Sequence, residues 1–213
     1  MALEPGPFST NKMERNVMKK QLGPSNAIFP IPAALIVSGE KDNANIITIA
    51  WIGIASSTPP TIGISLRKTR HSLKLIRDSR EFSVNIPPSS FVKEVDYCGM
   101  TTGLKRRKFD DTGLTPIESL KIKPPIIKEC PYNIECKVTH DIMIGDWAHI
   151  LGEIVETHVD EDKTDESKRA GLDISKINPL VYCAEAREYW SMGTFLGYGY
   201  DAGKELKEKK ERN

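Results

Sequence analysis

Residues 45–76 read NIITIAWIGIASSTPPTIGISLRKTRHSLKLI. Two apolar runs rich in β-branched residues each finish in a polar cluster, SSTPP at 56–60 and RKTRHS at 67–72. Such runs predict strands. The following HSLKLIRDSR places Leu73 and Ile76 three apart with Leu75 beside them, which predicts a short helix. A helix start exposes backbone N–H groups without intrahelical partners, and its dipole favours negative charge. Arg70 adds a forked donor, Lys68 a compact charge and Ser72 a first-turn hydroxyl. The pattern points to a bound anion; the alternative is an ordinary helix start with a solvated basic face.

Upstream, IPAALIVSG at 31–39 reads as a strand, and the polar EKDN turns it into ANIITIAWIGIASS as a hairpin. Downstream, EFSVNIP alternates Phe82, Val84 and Ile86 with Ser83 and Asn85, a strand stopped by Pro87 and Pro88. SFVKEVDYCGM at 90–100 predicts a helix, and TTGLKRRKFDDTG at 101–113 a charged, glycine-punctuated surface loop. The segment 132–160 gives two long β runs broken at Gly145 and Asp146, a second hairpin. The chain is therefore mainly β with some α, and six or so strands suffice for a barrel. The closing KELKEKKERN has no apolar face and reads as a solvated end.

The 213 residues fit one domain with decorated ends, and no Ser/Gly-rich or Pro-rich linker divides them. Thirty basic against twenty-nine acidic residues leave a formal charge of +1, which argues against broad binding to nucleic acid or an anionic membrane. The longest apolar run is too short to span a bilayer, and the N-terminus lacks the apolar core of a secretory signal, so a cytosolic protein is expected. Cys98, Cys130, Cys136 and Cys183 are scattered and form no Cys-x-x-Cys pair. Reduced thiols are expected, with no metal site and no disulfide framework.

An anion carried by a flat ring needs more than a phosphate grip. Strand ends at 48–51 can offer backbone groups to ring heteroatoms, and Ser56 and Ser57 can reach ribityl or phosphate oxygens. The ordered blocks PIPAALIVS, NIITIAW, SSTPP, SLRKTRHS, EFSVNIP, KFDDTGLT and GDWAHILGEIV together resemble the flavin reductase-like, FMN-binding split-barrel family, and its flavoredoxin branch most. The resemblance covers residues 22–190, which makes 1–21 an N-terminal extension and 191–213 a C-terminal segment with a charged tail. It implies a six-stranded Greek-key split β-barrel with flanking helices, a homodimer, and non-covalent FMN near the subunit interface. Block by block, it implies that Asn45, Thr48, Ala50 and Trp51 line the ring and ribityl chain with Ser56 and Ser57 beside them. Lys68, Arg70, His71 and Ser72 would surround the phosphate.

Many members of that family carry histidine directly after the Gly-Asp of the last hairpin. Here Trp147 stands there and His149 follows two residues later, so His149 is expected to be a strand histidine with a satisfied hydrogen bond. Lys108 is expected either to approach the flavin from its loop or to be solvated. Tyr189 and Trp190 are expected to cover a flavin or to fill core or interface. With FMN supplying the chemistry, no catalytic side chain is required. Three functions follow: an NAD(P)H-dependent flavin reductase taking electrons from NADH or NADPH, an electron carrier fed by another protein, and a flavin-binding protein without turnover. No Gly-x-Gly-x-x-Gly fingerprint is present, which weakens nicotinamide use without excluding it.

Overall fold

In the computed structural model, which describes residues 18–204, 206 and 207, the main sheet is built from seven strands, numbered here in chain order. They are β1 (Ala34–Ser38), β2 (Asn45–Ile49), β3 (Ile52–Ser57), β4 (Pro60–Arg67), β5 (Glu81–Ile86), β6 (Tyr132–Ile144) and β7 (Trp147–Val159). Their order in the sheet is β2-β1-β5-β6-β7-β4-β3, and every neighbouring pair is antiparallel. The run expected as one long strand across 44–57 is divided at Ala50 and Trp51, and this division raises the count from six to seven. The periodicity of NIITIAWIGIASS gives no warning of the break, because both halves are equally apolar.

That division shapes the molecule. β2 and β3 are the two edge strands of the sheet, yet only two residues separate them in sequence. The sheet therefore curls until its edges meet at one corner, and it stays open beyond that corner because β2 and β3 share no ladder. The corner is fixed by the Ser65 N–H, which donates to the Trp51 carbonyl at 2.8 Å, and by the Ile52 N–H, which donates to Ala50 at 2.9 Å. This is the mainly β split barrel that the sequence implies.

Two cores follow from two-sided burial. Inside the curl, Ile36, Ile64, Leu66, Phe82, Val84 and Ile150 pack together with the inner face of helix α1 (His71–Ser79). Gly152 lets Phe82 lie flat there, because a Cβ at that position would sit 2.6 Å from the ring. Outside, Leu35, Val37 and Ile46 meet Val95 and Cys98 of α2 (Val92–Met100), with Leu114 and Leu180. The polar side of β5 is buried as completely as its apolar side. Asn85 donates to the Leu35 carbonyl at 3.0 Å and accepts from the Ile127 N–H at 2.9 Å and from Asn133 at 2.8 Å, so the buried amide is satisfied.

The hairpin of β6 and β7 forms as expected, turning at Gly145, whose φ is +58. The segment 101–113, expected as a surface excursion, contains a short helix α3 (Lys108–Thr112) whose first residue is buried. A three-stranded sheet of Ile31–Pro32, Val181–Cys183 and Glu188–Trp190 lies beside the opening of the barrel. Most of the N-terminal extension and of the charged tail lies outside the described residues. Among the described residues no helix is long and apolar enough to cross a membrane, and no His, Cys, Asp and Glu cluster has the makings of a metal site. The four cysteines are free. Burial pushes the Cys98 thiol up to about 11 and the Cys130 and Cys136 thiols higher still, which leaves them unreactive.

Candidate functional site

The open corner of the barrel holds two adjoining cavities that share Ile47, Arg67 and Arg70. One, of about 250 Å³, is mostly apolar. Thr48, Ala50 and Trp51 line it, Trp147 stands beside Trp51, and Tyr182 and Tyr189 complete its aromatic lining. The two indole centroids are 5.4 Å apart with planes tilted by 40°, and the two phenol rings are 5.0 Å apart. Thr48 is immobilised because its hydroxyl donates to the Val95 carbonyl at 2.5 Å. Asp96 also faces this cavity and accepts from the Tyr189 hydroxyl at 3.2 Å. Burial, followed by the Asp96 charge, raises the Tyr189 phenol above its ordinary range and keeps it protonated.

The other cavity, of about 300 Å³, is polar. α1 begins at its wall: Arg70 is the N-cap residue, makes no side-chain cap, and the first turn carries no acidic residue. His71 and Ser72 line the cavity, and the Ser72 hydroxyl accepts from the Asn45 amide at 2.7 Å. The backbone at 101–103 closes the far side. Gly103 is required there, since a Cβ would collide with the Asn45 amide. No Asp or Glu is among the described residues lining this cavity.

Lys108 completes the polar wall. It is 3 % exposed and donates to the carbonyls of Ile46 at 2.7 Å and Cys98 at 2.8 Å. Burial depresses its pKa to about 8, opposed in part by Cys98, and the nearby Arg70 charge adds a smaller push in the same downward direction. An ammonium buried on neutral carbonyls is an incompletely compensated charge. Lys108 is thus neither solvated nor carried on a mobile loop. Its only sequence signal is the apolar Phe109 that follows it in an otherwise charged run.

The structure brings together Asn45, Thr48, Ala50, Trp51, Arg70, His71 and Ser72 of the residues singled out in the sequence. Three others lie elsewhere. Lys68 turns away to an exposed ion pair with Asp146 at 2.6 Å. Ser56 accepts from the Thr58 N–H at 3.1 Å, and both Ser56 and Ser57 sit at the far end of β3, on the β3–β4 turn. His149 Nδ1 is 2.7 Å from the Ser65 hydroxyl, the satisfied strand histidine expected. Tyr189 lines the apolar cavity of its own chain, whereas Trp190 remains 57 % exposed.

The donor set fits a ligand with a phosphate and a flat ring. Cations, hydroxyls and a free helix start surround one cavity, while aromatic and aliphatic walls bound the next. In solved structures, the flavoredoxin of Desulfovibrio vulgaris superimposes with a TM-score of 0.81 at 35 % identity, covering 87 % of this chain and 100 % of that one. The flavoredoxin of Methanosarcina acetivorans gives 0.80 at 30 % identity, with 89 % and 100 % covered. An uncharacterised protein of Archaeoglobus fulgidus is 36 % identical over 137 residues, 64 % of this chain and 77 % of its own. The profile of the flavin reductase like domain matches residues 26–191, and with most of its length so covered the chain belongs to the flavin reductase-like family.

Proposed function

We propose that the paired cavities bind FMN and that the protein is an FMN-dependent oxidoreductase. The observation that carries this reading is the junction itself: an acid-free, cation-walled cavity at the start of α1 opens at Arg67 and Arg70 into an aromatic-walled cleft. Arg70, Ser72, His71 and Lys108 would hold the phosphate with charge-assisted hydrogen bonds. Asn45, Thr48, Ala50 and Trp51 would border the ribityl chain and ring. When bound, FMN supplies reversible electron chemistry at its ring. The protein orients the ring, restricts water and controls which donor comes close.

Two readings differ in that donor. An NAD(P)H:flavin reductase is the class of activity that the family's name suggests, with hydride arriving from NADH or NADPH. A carrier reduced by another protein is the second reading, and the paired indoles of Trp51 and Trp147 beside the cleft favour it, since electrons need no second ring in contact. A homodimer fits both readings: Trp51, Ile54 and Ile144 are exposed at 41 %, 70 % and 65 % around the corner that holds the cleft, and a second copy would cover them.

The test is to purify the protein, titrate it with FMN and record the visible spectrum. The yellow form is then mixed anaerobically with NADH, NADPH or a reduced redox protein. Fast bleaching by a nicotinamide supports the reductase, and fast bleaching only by the protein donor supports the carrier. A protein that takes up no flavin overturns the proposal.

A further inference from the structure

We infer that Trp147 is a gate: its indole, paired with Trp51, occupies the place a second planar ring would need and so excludes nicotinamides from the cleft. This rests on the FMN reading above and goes beyond it by naming the residue that selects the donor.

The indole is held from several directions. Trp147 is the first residue of β7 and lies in register with Arg67 of β4 and Ile144 of β6. The Arg67 guanidinium sits 5.4 Å from the Trp147 ring centroid, within cation–π range. The turn before it is tied to β4 twice, because the Lys68 N–H donates to the Asp146 carbonyl at 2.9 Å and the Lys68 ammonium pairs with the Asp146 carboxylate at 2.6 Å. Trp51 is anchored in turn through its carbonyl, on the Ser65 N–H. The Trp147 indole is thus not a loosely hung surface group.

Space decides what this means. The aromatic-walled cleft measures about 250 Å³, below the usual ~300–1,000 Å³ of ligand pockets. Tyr182 and Tyr189 also line it, and the Asp96–Tyr189 hydrogen bond fixes that part of the wall. A second ring stacked on the first must displace the Trp147 indole, and with it the Trp51 contact and the Arg67 contact. Electrons from a docked protein meet no such obstacle, because transfer between redox centres does not require ring-on-ring contact. Lys68 thereby acquires a role different from phosphate binding: it secures the turn that carries the gate.

The experiment compares the FMN-loaded wild type with Trp147→Ala, Trp147→His and Trp147→Phe. The primary readout is equilibrium binding of oxidised NAD or NADP, which needs no turnover. Anaerobic bleaching by NADH and NADPH is the second. The wild type and Trp147→Phe should bind neither nucleotide at millimolar concentration. Trp147→Ala and Trp147→His, which replace the indole by a methyl group and by a smaller ring, should bind at least one of them at millimolar concentration, a gain of about tenfold or more. Both should also bleach correspondingly faster. Equal binding across the series, whether tight or absent throughout, overturns the gate while leaving the FMN reading intact. A wild type that takes up no FMN removes the reading on which the gate rests, and the absent yellow colour distinguishes that failure from the first.

Discussion

Lys108 and Arg70 carry neighbouring positive charges to the same cavity, one buried on carbonyls and the other at the lip of α1. A phosphate between them would relieve their mutual repulsion, so each should show its effect on FMN and little on riboflavin, which has no phosphate. Arg70→Ala should weaken FMN binding roughly tenfold to a hundredfold, the loss of a charge-assisted bond of ~1.5–3 kcal/mol. Paired titrations of FMN and riboflavin measure this directly, and equal losses for both would move Arg70 to the ring or the fold. Lys108 predicts a pH dependence. With its pKa depressed to about 8, it is charged below that value and neutral above it. FMN affinity should therefore fall about tenfold as pH rises from about 7 to about 9.5, while riboflavin affinity stays level. The flavin-free protein should move the other way and gain stability from about 8 towards the ordinary lysine value of about 10.4, since there the unfolded chain binds more protons than the folded one. Arg70 and Ser72 were legible in the sequence because a helix start announces itself through local spacing, whereas Asn45, on a strand remote from that helix, came only from the family resemblance. Lys108 was singled out, but its burial was not legible, because it depends on the edge of β2, 62 residues away in sequence.

The hairpin of β6 and β7 was readable from alternation and a Gly-Asp break, and its register brings Trp147 to the cleft. The break at Ala50 and Trp51 was hidden, because no turn residue marks it and both halves of the run are equally apolar. The pinning of residues 119–127 across the sheet was equally hidden. Glu135, fully buried on β6, accepts from the N–H groups of Leu120 at 2.7 Å and Lys121 at 2.6 Å and from His158 at 2.7 Å. Burial alone would raise its pKa, but the Leu120, His158 and Lys121 donors together outweigh burial and hold it below the ordinary glutamate value. Glu135→Ala leaves the two part-buried N–H groups and His158 without their acceptor and should destabilise the protein by about 1–3 kcal/mol, read as a shift in the urea midpoint. In the wild type this contribution is complete above about pH 4.3 and disappears as pH falls through the lower, folded-state value. Acid unfolding of Glu135→Gln should lack that component, and an unchanged acid transition would assign the pinning elsewhere.

The two cores make the cleft a product of the whole chain: the inner one sets the curl, and the outer one presses α2 and α3 against β2. A homodimer with about one FMN per subunit is the assembly expected, checked by sedimentation of the yellow protein together with flavin extraction. A monomer carrying a full complement of flavin would show that the exposed Trp51, Ile54 and Ile144 serve some other purpose. Replacing Cys98, Cys130, Cys136 and Cys183 by alanine or serine should leave the rate of flavin bleaching unchanged, because three of these thiols are buried and hard to ionise. The edges of the open sheet carry one more consequence. On β2 the Ile46 carbonyl is occupied by Lys108, and α2 and α3 shelter the strand. Among the described residues β3 has no neighbour beyond it, and it offers its outward carbonyls and amides to any extended chain. Pro59 and Pro60 follow its last residues, and a proline has no N–H with which to prolong a ladder. Replacing both would lengthen that free rim into a template for intermolecular β-pairing, and the protein would be expected to form thioflavin-binding fibrils at concentrations where the wild type stays clear.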